Sequence, residues 1–277
     1  VSEMVRVGNI APALSLEGLE EETDTRRGKG VYRKIMHAMD LMREAGCVFG
    51  FSACYARNNV DVIASDEFID SMVDKGCAFG WFFTYVPVGS EPNLDLMATP
   101  EQRAKMYDAV RRFRNTKPIF LVDFWNDGEF SLGCIAGGRR YLHINAAGDV
   151  EPCAFIHYAT DNINDVSLKE ALASPLMRAY QKRQPFNQNM LRPCPLIDNP
   201  EKLVEIIEES GARSTQLGEH AVEPEVLAGK IQEEYTQHWA AKADELWRSN
   251  PHPFYDRALE FVEKEAGERK ERMASRV

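Results

Sequence analysis

The sequence predicts an α/β fold with a parallel sheet, followed by a small α+β module and a helical tail. Short apolar segments alternate with longer amphipathic ones from residue 10 to residue 124, with glycine or proline near the junctions. Strands that alternate with helices form βα units with right-handed crossovers, so their strands run parallel. The alternation stops after residue 130, where a cysteine-bearing hairpin and a series of helices follow.

The individual elements of the sheet region follow from their patterns. Four apolar segments have the length of buried strands: 10–16, 48–53, 79–86 and 119–124. Between them, amphipathic segments predict helices at 31–45, 66–74 and 99–114. The acidic, polar stretch at 17–30 is predicted as a loop, and Trp81 is expected in the core. So few βα units form part of a barrel or an open sheet, because a closed barrel needs eight.

The most distinctive stretch is a predicted hairpin, GCIAGGRRYLHINAAGDVEPCAF, at residues 133–155. A short strand at 141–145 leads into a turn in which Gly148 supplies the positive φ that a tight connection needs. The hairpin therefore returns Cys153 to the neighbourhood of Cys134. Two thiols held by a rigid hairpin indicate metal ligation or a disulfide, and the spacing alone leaves ordinary buried cysteines equally open.

The remainder of the sequence predicts helices. They lie at 168–172, 175–181, 200–210, 224–249 and 254–272. Cys194 stands in an extended segment between two of them.

Composition narrows the function classes. The chain has 277 residues and a net charge of −10, which argues against a general binder of nucleic acid or anionic membranes. No apolar run approaches the roughly 20 residues of a membrane span. We therefore expect a cytoplasmic protein, in which six cysteines are not a disulfide framework.

The cysteine hairpin resembles a known domain. Cys134, thirteen residues, Gly148, four residues and Cys153 are similar to the opening of the SPASM/Twitch auxiliary-cluster domain carried by many radical S-adenosylmethionine (SAM) enzymes. The segment 162–172 resembles the stretch after the second cysteine in that family. Upstream, 14–18 and 27–32 resemble the fourth strand and following loop of the radical SAM partial barrel, and 85–89 resembles the end of the sixth strand.

The resemblance implies two sets of ligand-binding residues. An auxiliary [4Fe–4S] cluster is expected on Cys134, Cys153 and Cys194, since thiolates are the usual ligands of such clusters. For its fourth position the candidates are His143, His157 and Asp198, or the position stays open to substrate. In the intact protein SAM is expected at the carboxyl ends of the strands, where the candidates by position are Glu17, Arg27, Ser52, Tyr85 and Pro87.

The sequence lacks one motif of the family, and its absence changes what we expect of this chain. The catalytic cluster of radical SAM enzymes is bound through a CxxxCxxC loop, and this spacing does not occur in the sequence. We therefore expect the C-terminal part of a radical SAM iron–sulfur oxidoreductase, which by itself does not cleave SAM. A missing N-terminal half or a partner chain would supply the motif. Residues 1–130 are then the truncated radical SAM barrel, 131–215 the Twitch-like module and 216–277 the helical tail.

In the parent enzyme the resemblance implies that the first cluster reduces SAM to a 5′-deoxyadenosyl radical, which abstracts hydrogen from a substrate. The auxiliary cluster would accept an electron or anchor that substrate. Peptide modification is common in the family, and the substrate is not identified by the sequence. Unpaired strand edges of a partial barrel also predict self-association.

Two other classes stay open at this point. One is a non-catalytic iron–sulfur or zinc-binding protein that uses the same three cysteines. The other is a metal-free α/β enzyme or ligand-binding module whose site lies at the strand ends.

Overall fold

The parallel sheet is present as predicted. The structure, a computed structural model, describes residues 1–89, 92–216 and 224–261. Its main sheet has the order β1-β2-β3-β4, with strands Ala13–Leu16, Gly50–Tyr55, Phe79–Thr84 and Phe120–Asp123. Each pair of neighbours runs parallel. The α/β class with a parallel sheet is therefore confirmed.

One helix precedes the first strand of this sheet, and the others lie between its strands. They are α1 Ser2–Val7, α2 Glu20–Arg27, α3 Val31–Glu44, α4 Val60–Ile63, α5 Asp66–Lys75 and α6 Pro100–Thr116, with a 3₁₀ turn at Leu94–Leu96. The predicted helices at 31–45, 66–74 and 99–114 are thus present as α3, α5 and α6.

The loop predicted at 17–30 is wrong, because most of it is helix α2. The helix begins after Leu19, whose backbone N–H donates to the Glu22 carboxylate at 3.1 Å. Three acidic residues occupy the first turn, and Arg26 and Arg27 occupy the last. This distribution of charge matches the helix dipole at both ends, so the segment is helical without an apolar stripe of its own.

The two faces of the sheet differ in how they are covered. On the helix-covered face the strand side chains are buried, among them Leu16, Phe51, Phe82 and Leu121. The expectation that Trp81 lies in the core is wrong, since its residue is 38% exposed. Side chains alternate along a strand, so the buried Phe82 places its neighbour Trp81 on the opposite face.

Residue contacts divide the chain into two compact units. Among the described residues, one unit comprises 1–89, 92–125, 216 and 224–242, and the other comprises 126–215 and 243–261. The helices that follow residue 223 are α11 Pro224–Ile231, a π-helical segment Gln232–Thr236 and α12 Gln237–Ser249. Residues 253–261 are helical, and the rest of the helix predicted to reach residue 272 lies outside the described residues.

The second unit contains the predicted hairpin. Strands β5 His143–Ile144 and β6 Val150–Glu151 pair antiparallel, as do β7 Tyr158–Ala159 and β8 Arg213–Ser214. Its helices include α7 Gly128–Ser131, α8 Leu168–Ala171, α9 Pro175–Lys182 and α10 Pro200–Ser210. The hairpin is confirmed, although its ladder is shorter than the strand predicted at 141–145.

Among the described residues, no helix combines the length and the apolar character needed to cross a membrane.

Candidate functional site

The turn of the hairpin is fixed by backbone geometry and by side-chain hydrogen bonds. Gly148 has φ +89°, and a Cβ built on it would lie 2.5 Å from the Asn164 amide nitrogen. The Asn145 side-chain oxygen accepts the N–H of Ala147 at 2.9 Å and that of Asp149 at 3.0 Å. Residue 148 must therefore be glycine, both for its positive φ and for the close approach of Asn164. The hydrogen bonds fix the conformation of the turn that leads to Cys153.

The structure brings Cys134, Cys153 and Cys194 into one region. All three are free and partly buried. Cys134 is close enough to both of the others to influence their ionisation electrostatically. Three separate segments supply them: the loop after α7, the end of the hairpin and the loop before α10.

Each of the three sulfur atoms faces one or two backbone N–H groups from the residues that follow it. The donors are Ala136 for Cys134, Ala154 and Phe155 for Cys153, and Leu196 and Ile197 for Cys194. The Leu196 nitrogen, for example, lies 3.4 Å from the Cys194 sulfur. Backbone donors aimed at sulfur suit a thiolate, which accepts hydrogen bonds and is the form that binds metal.

Burial opposes ionisation of these three thiols in the protein without bound metal. It raises the pKa of Cys153 to about 12, and it raises the pKa of Cys134 and of Cys194 as well. The backbone N–H groups act in the opposite direction at all three. A bound metal would supply the positive charge that stabilises the thiolates here.

Tyr180 of helix α9 stands beside the three cysteines. Its hydroxyl oxygen lies 3.3 Å from the Cys134 sulfur, and its residue is fully buried. Burial is the largest cause that raises the pKa of this hydroxyl well above its usual value, and the neighbouring cysteine sulfurs raise it further. The ring packs edge-on against Phe186, with the ring centroids 5.0 Å apart, and against Gly137.

The side chains predicted as a fourth ligand have hydrogen-bond or ion-pair partners within the protein. Asp198 accepts the backbone N–H of Cys194 at 3.0 Å. His143 Nδ1 lies 2.7 Å from the Glu151 carboxylate, and His157 Nδ1 lies 3.8 Å from it. Although burial raises the pKa of Glu151, hydrogen bonds from His157, Thr215 and His143 bring it down to about 2.

The cysteines are not arranged around a single ion. In the part of the chain that the structure describes, no three His, Cys, Asp or Glu side chains are placed to hold one metal ion.

A second set of polar groups lies at the carboxyl end of the main sheet. Glu17, directly after β1, is 1% exposed and accepts hydrogen bonds from Arg26 at 3.0 Å and from Arg27 at 2.5 Å. The Cys54 thiol near the end of β2 also hydrogen-bonds with Arg26. The Asn59 side chain donates to the carbonyls of Glu17 and Cys54 and so joins the two strand ends.

Only some of the predicted SAM-binding residues lie at this polar cluster at the carboxyl end of the sheet. Glu17 and Arg27 form an ion pair there. Ser52 lies deeper in the sheet, opposite Ser15 and Trp81 in the strand register. Tyr85 follows β3 at the same end of the sheet and donates its backbone N–H to the Tyr55 carbonyl at 2.8 Å, and Pro87 lies two residues further on.

Sequence reasoning missed two members of this cluster, Arg26 and Cys54. A signal was present for each, since Arg26 is adjacent to Arg27 and Cys54 shares a strand face with Ser52. Tyr180 carried no such signal, because only the tertiary structure places it next to Cys134.

Comparison with known proteins identifies the segment that carries the cysteines. Residues 134–195 match the SPASM family, an iron–sulfur cluster-binding domain. The chain is similar in structure to native anSMEcpe with bound AdoMet, with 14% identity, a TM-score of 0.49 and coverage of 90% of this chain and 71% of that one. It is also similar to Streptococcus suis SuiB bound to S-adenosylmethionine, with 15% identity, a TM-score of 0.50 and coverage of 67% of this chain and 48% of SuiB.

The search of curated proteins found no match. The chain spans about half the length of SuiB. The family match over residues 134–195 confirms the resemblance to the SPASM domain that the cysteine hairpin predicted.

Proposed function

We propose that this chain is the C-terminal part of a radical SAM iron–sulfur oxidoreductase and that Cys134, Cys153 and Cys194 hold its auxiliary [4Fe–4S] cluster. The observation that supports this most is the set of backbone N–H groups that face all three sulfur atoms. Those cysteines also fall within the SPASM match. A zinc or metal-free role would not account for that match to an iron–sulfur domain.

The residues present fit such a cluster in their donor chemistry. Soft thiolates are the ligands of iron–sulfur clusters, and each thiolate binds a different iron atom. When bound, the cluster supplies one-electron transfer or a position that anchors substrate. The fourth position is then held by Asp198, His143 or His157, or it stays open to substrate, because a hydrogen bond to one atom of these side chains leaves another atom able to bind metal.

We further propose that the carboxyl end of the sheet takes part in SAM binding in the intact protein. Glu17 is buried, whereas Arg26 and Arg27 keep about half and a third of their side chains exposed. A guanidinium group held by a buried carboxylate is oriented to pair with the carboxylate of SAM. The proposal includes Arg27 for this pairing, with Ser52, Tyr85 and Pro87 as further candidates.

The division into a truncated barrel at 1–130, a Twitch-like module at 131–215 and a helical tail at 216–277 is part of the same proposal. So are a peptide substrate, a cytoplasmic location, self-association through strand edges, and a missing half or partner chain that supplies CxxxCxxC. The chain by itself is then not expected to cleave SAM.

Anaerobic reconstitution with iron and sulfide tests the cluster assignment. The wild-type chain should bind about four irons and four sulfides and show the broad absorbance of a [4Fe–4S] cluster. Cys134→Ala, Cys153→Ala and Cys194→Ala should each lose most of this iron. Cys77→Ala is the matched control, because Cys77 is buried in the core of the other unit.

Equal iron in all four variants and the wild type would reject these ligands. Zinc without sulfide, or no metal after reconstitution, would reject the cluster itself.

A further inference from the structure

The hydroxyl of Tyr180 has a position that packing alone does not explain. It is fully buried, and its oxygen lies 3.3 Å from the Cys134 sulfur. A buried hydroxyl is costly unless it is hydrogen-bonded, so a phenylalanine would fill the same space without that requirement. The hydroxyl therefore requires a polar partner, and the atom that lies next to it is the sulfur of an expected metal ligand.

The surroundings of the ring direct this hydroxyl toward the cysteines. Phe186 packs edge-on against the ring, at an interplanar angle of 88°. Gly137 leaves space for the ring, because a Cβ at that residue would lie 2.1 Å from the ring carbon Cδ1. The ring is thus held on two sides, and the hydroxyl points to the region of all three cysteines.

The direction of the hydrogen bond follows from the chemistry of a metal-bound cysteine. Either atom can donate while Cys134 is a thiol. A thiolate bound to iron has no proton, so its sulfur accepts and Tyr180 donates. Hydrogen bonds to the sulfurs of a cluster are among the factors that set its reduction potential. They favour the reduced cluster, which is the more negatively charged state.

We propose that Tyr180 raises the reduction potential of the auxiliary cluster by donating a hydrogen bond to the Cys134 sulfur. Tyr180 is then a positioning residue for the cluster and does not contact substrate. The inference rests on the proposed function, because it requires that Cys134 bind a cluster.

The test compares the reconstituted full chain with Tyr180→Phe in a redox titration followed by absorbance and by electron paramagnetic resonance. The substitution removes only the hydroxyl. At a fixed ambient potential the ratio of reduced to oxidised cluster should fall about tenfold, which is about 59 mV for a one-electron couple. Resonance Raman should show the Fe–S(Cys) stretching bands moved to higher frequency, because the hydrogen bond no longer weakens that bond.

The matched control is Tyr255→Phe, which removes a hydroxyl from a buried tyrosine of the same unit whose ring packs on Trp247. It should leave the potential and the Raman bands unchanged. The redox titration detects only protein molecules that carry a cluster. The reduction potential of Tyr180→Phe can therefore be measured even if that variant is incompletely loaded.

The outcomes separate the two proposals. Iron and sulfide bound by the wild type, with the same potential and Raman bands in Tyr180→Phe, would overturn the role of Tyr180 alone. A wild-type chain that binds no iron–sulfur cluster would overturn the proposed function, and the inference with it.

Discussion

Gly137 offers a quantitative test of the packing around the cysteines. Its φ is +67°, and a Cβ there would lie 2.1 Å from Tyr180 Cδ1 and 2.7 Å from Cγ. In Gly137→Ala the left-handed backbone costs about 1–2 kcal/mol. Displacement of a buried ring in a packed core costs about 1–3 kcal/mol more. We therefore expect the free energy of unfolding to fall by about 2–5 kcal/mol in total.

Gly211 provides the matched control. It caps the C-terminus of α10 with φ +64°, and nothing lies within 4 Å of a Cβ built on it. Gly211→Ala should therefore show only the backbone cost of about 1–2 kcal/mol. The difference between the two variants isolates the collision with Tyr180.

Urea unfolding of the metal-free protein, followed by circular dichroism, measures both values. If the two variants differ by less than about 0.5 kcal/mol, the range of ordinary surface substitutions, Tyr180 is not packed against Gly137 as described. After reconstitution, Gly137→Ala should also bind less iron than Gly211→Ala, because the moved ring lies next to Cys134.

Three further substitutions test other parts of the structure. A hydrogen bond from Arg213 is the largest factor that lowers the pKa of Asp149, so its contribution to stability is present above about pH 4 and is lost as the pH falls below that. Asp149→Asn should therefore destabilise the protein more at pH 7 than at pH 3 in urea unfolding. Glu17→Gln leaves two guanidinium groups without their buried partner, but both reach water, so the loss should be about 1–3 kcal/mol. Thr99→Ala removes the cap that accepts the Gln102 N–H at 3.2 Å and should cost about 1 kcal/mol in thermal unfolding.

Each of these three predictions would be contradicted by a specific result. An Asp149→Asn effect that is the same at pH 7 and pH 3 would show that the charge of Asp149 does not stabilise the turn. For Glu17→Gln the control is Glu3→Gln, whose ion pair with Arg6 is exposed and should contribute nothing measurable. Equal stability of the two would contradict the burial of Glu17. A Thr99→Ala variant as stable as the wild type would show that α6 does not depend on its cap.

The elements that sequence reasoning predicted correctly have local causes. Apolar strands between amphipathic helices give a parallel sheet whatever their tertiary partners are. The hairpin follows from Gly148, because only glycine combines a positive φ with the close approach of Asn164. Helix α2 was missed because its stability comes from charges placed at its two ends, and a periodicity search does not detect these.

The parts that could not be predicted depend on contacts between distant segments. Alternation along β3 separates Trp81 from Phe82, but it does not reveal which face the helices cover. Tyr180 is 46 residues from Cys134, and no spacing relates the two. Cys194 was predicted through family resemblance, and its place beside Cys134 became visible only in the folded chain.

Native mass spectrometry of the anaerobically reconstituted chain tests the central claim most directly, because it counts iron and sulfide on a single folded molecule. For the wild type the account predicts a mass increase of one [4Fe–4S] unit per chain, and for the variant that lacks Cys134, Cys153 and Cys194 it predicts none. A wild-type chain that carries one zinc ion, or no added mass, would contradict the assignment of these three cysteines to an iron–sulfur cluster.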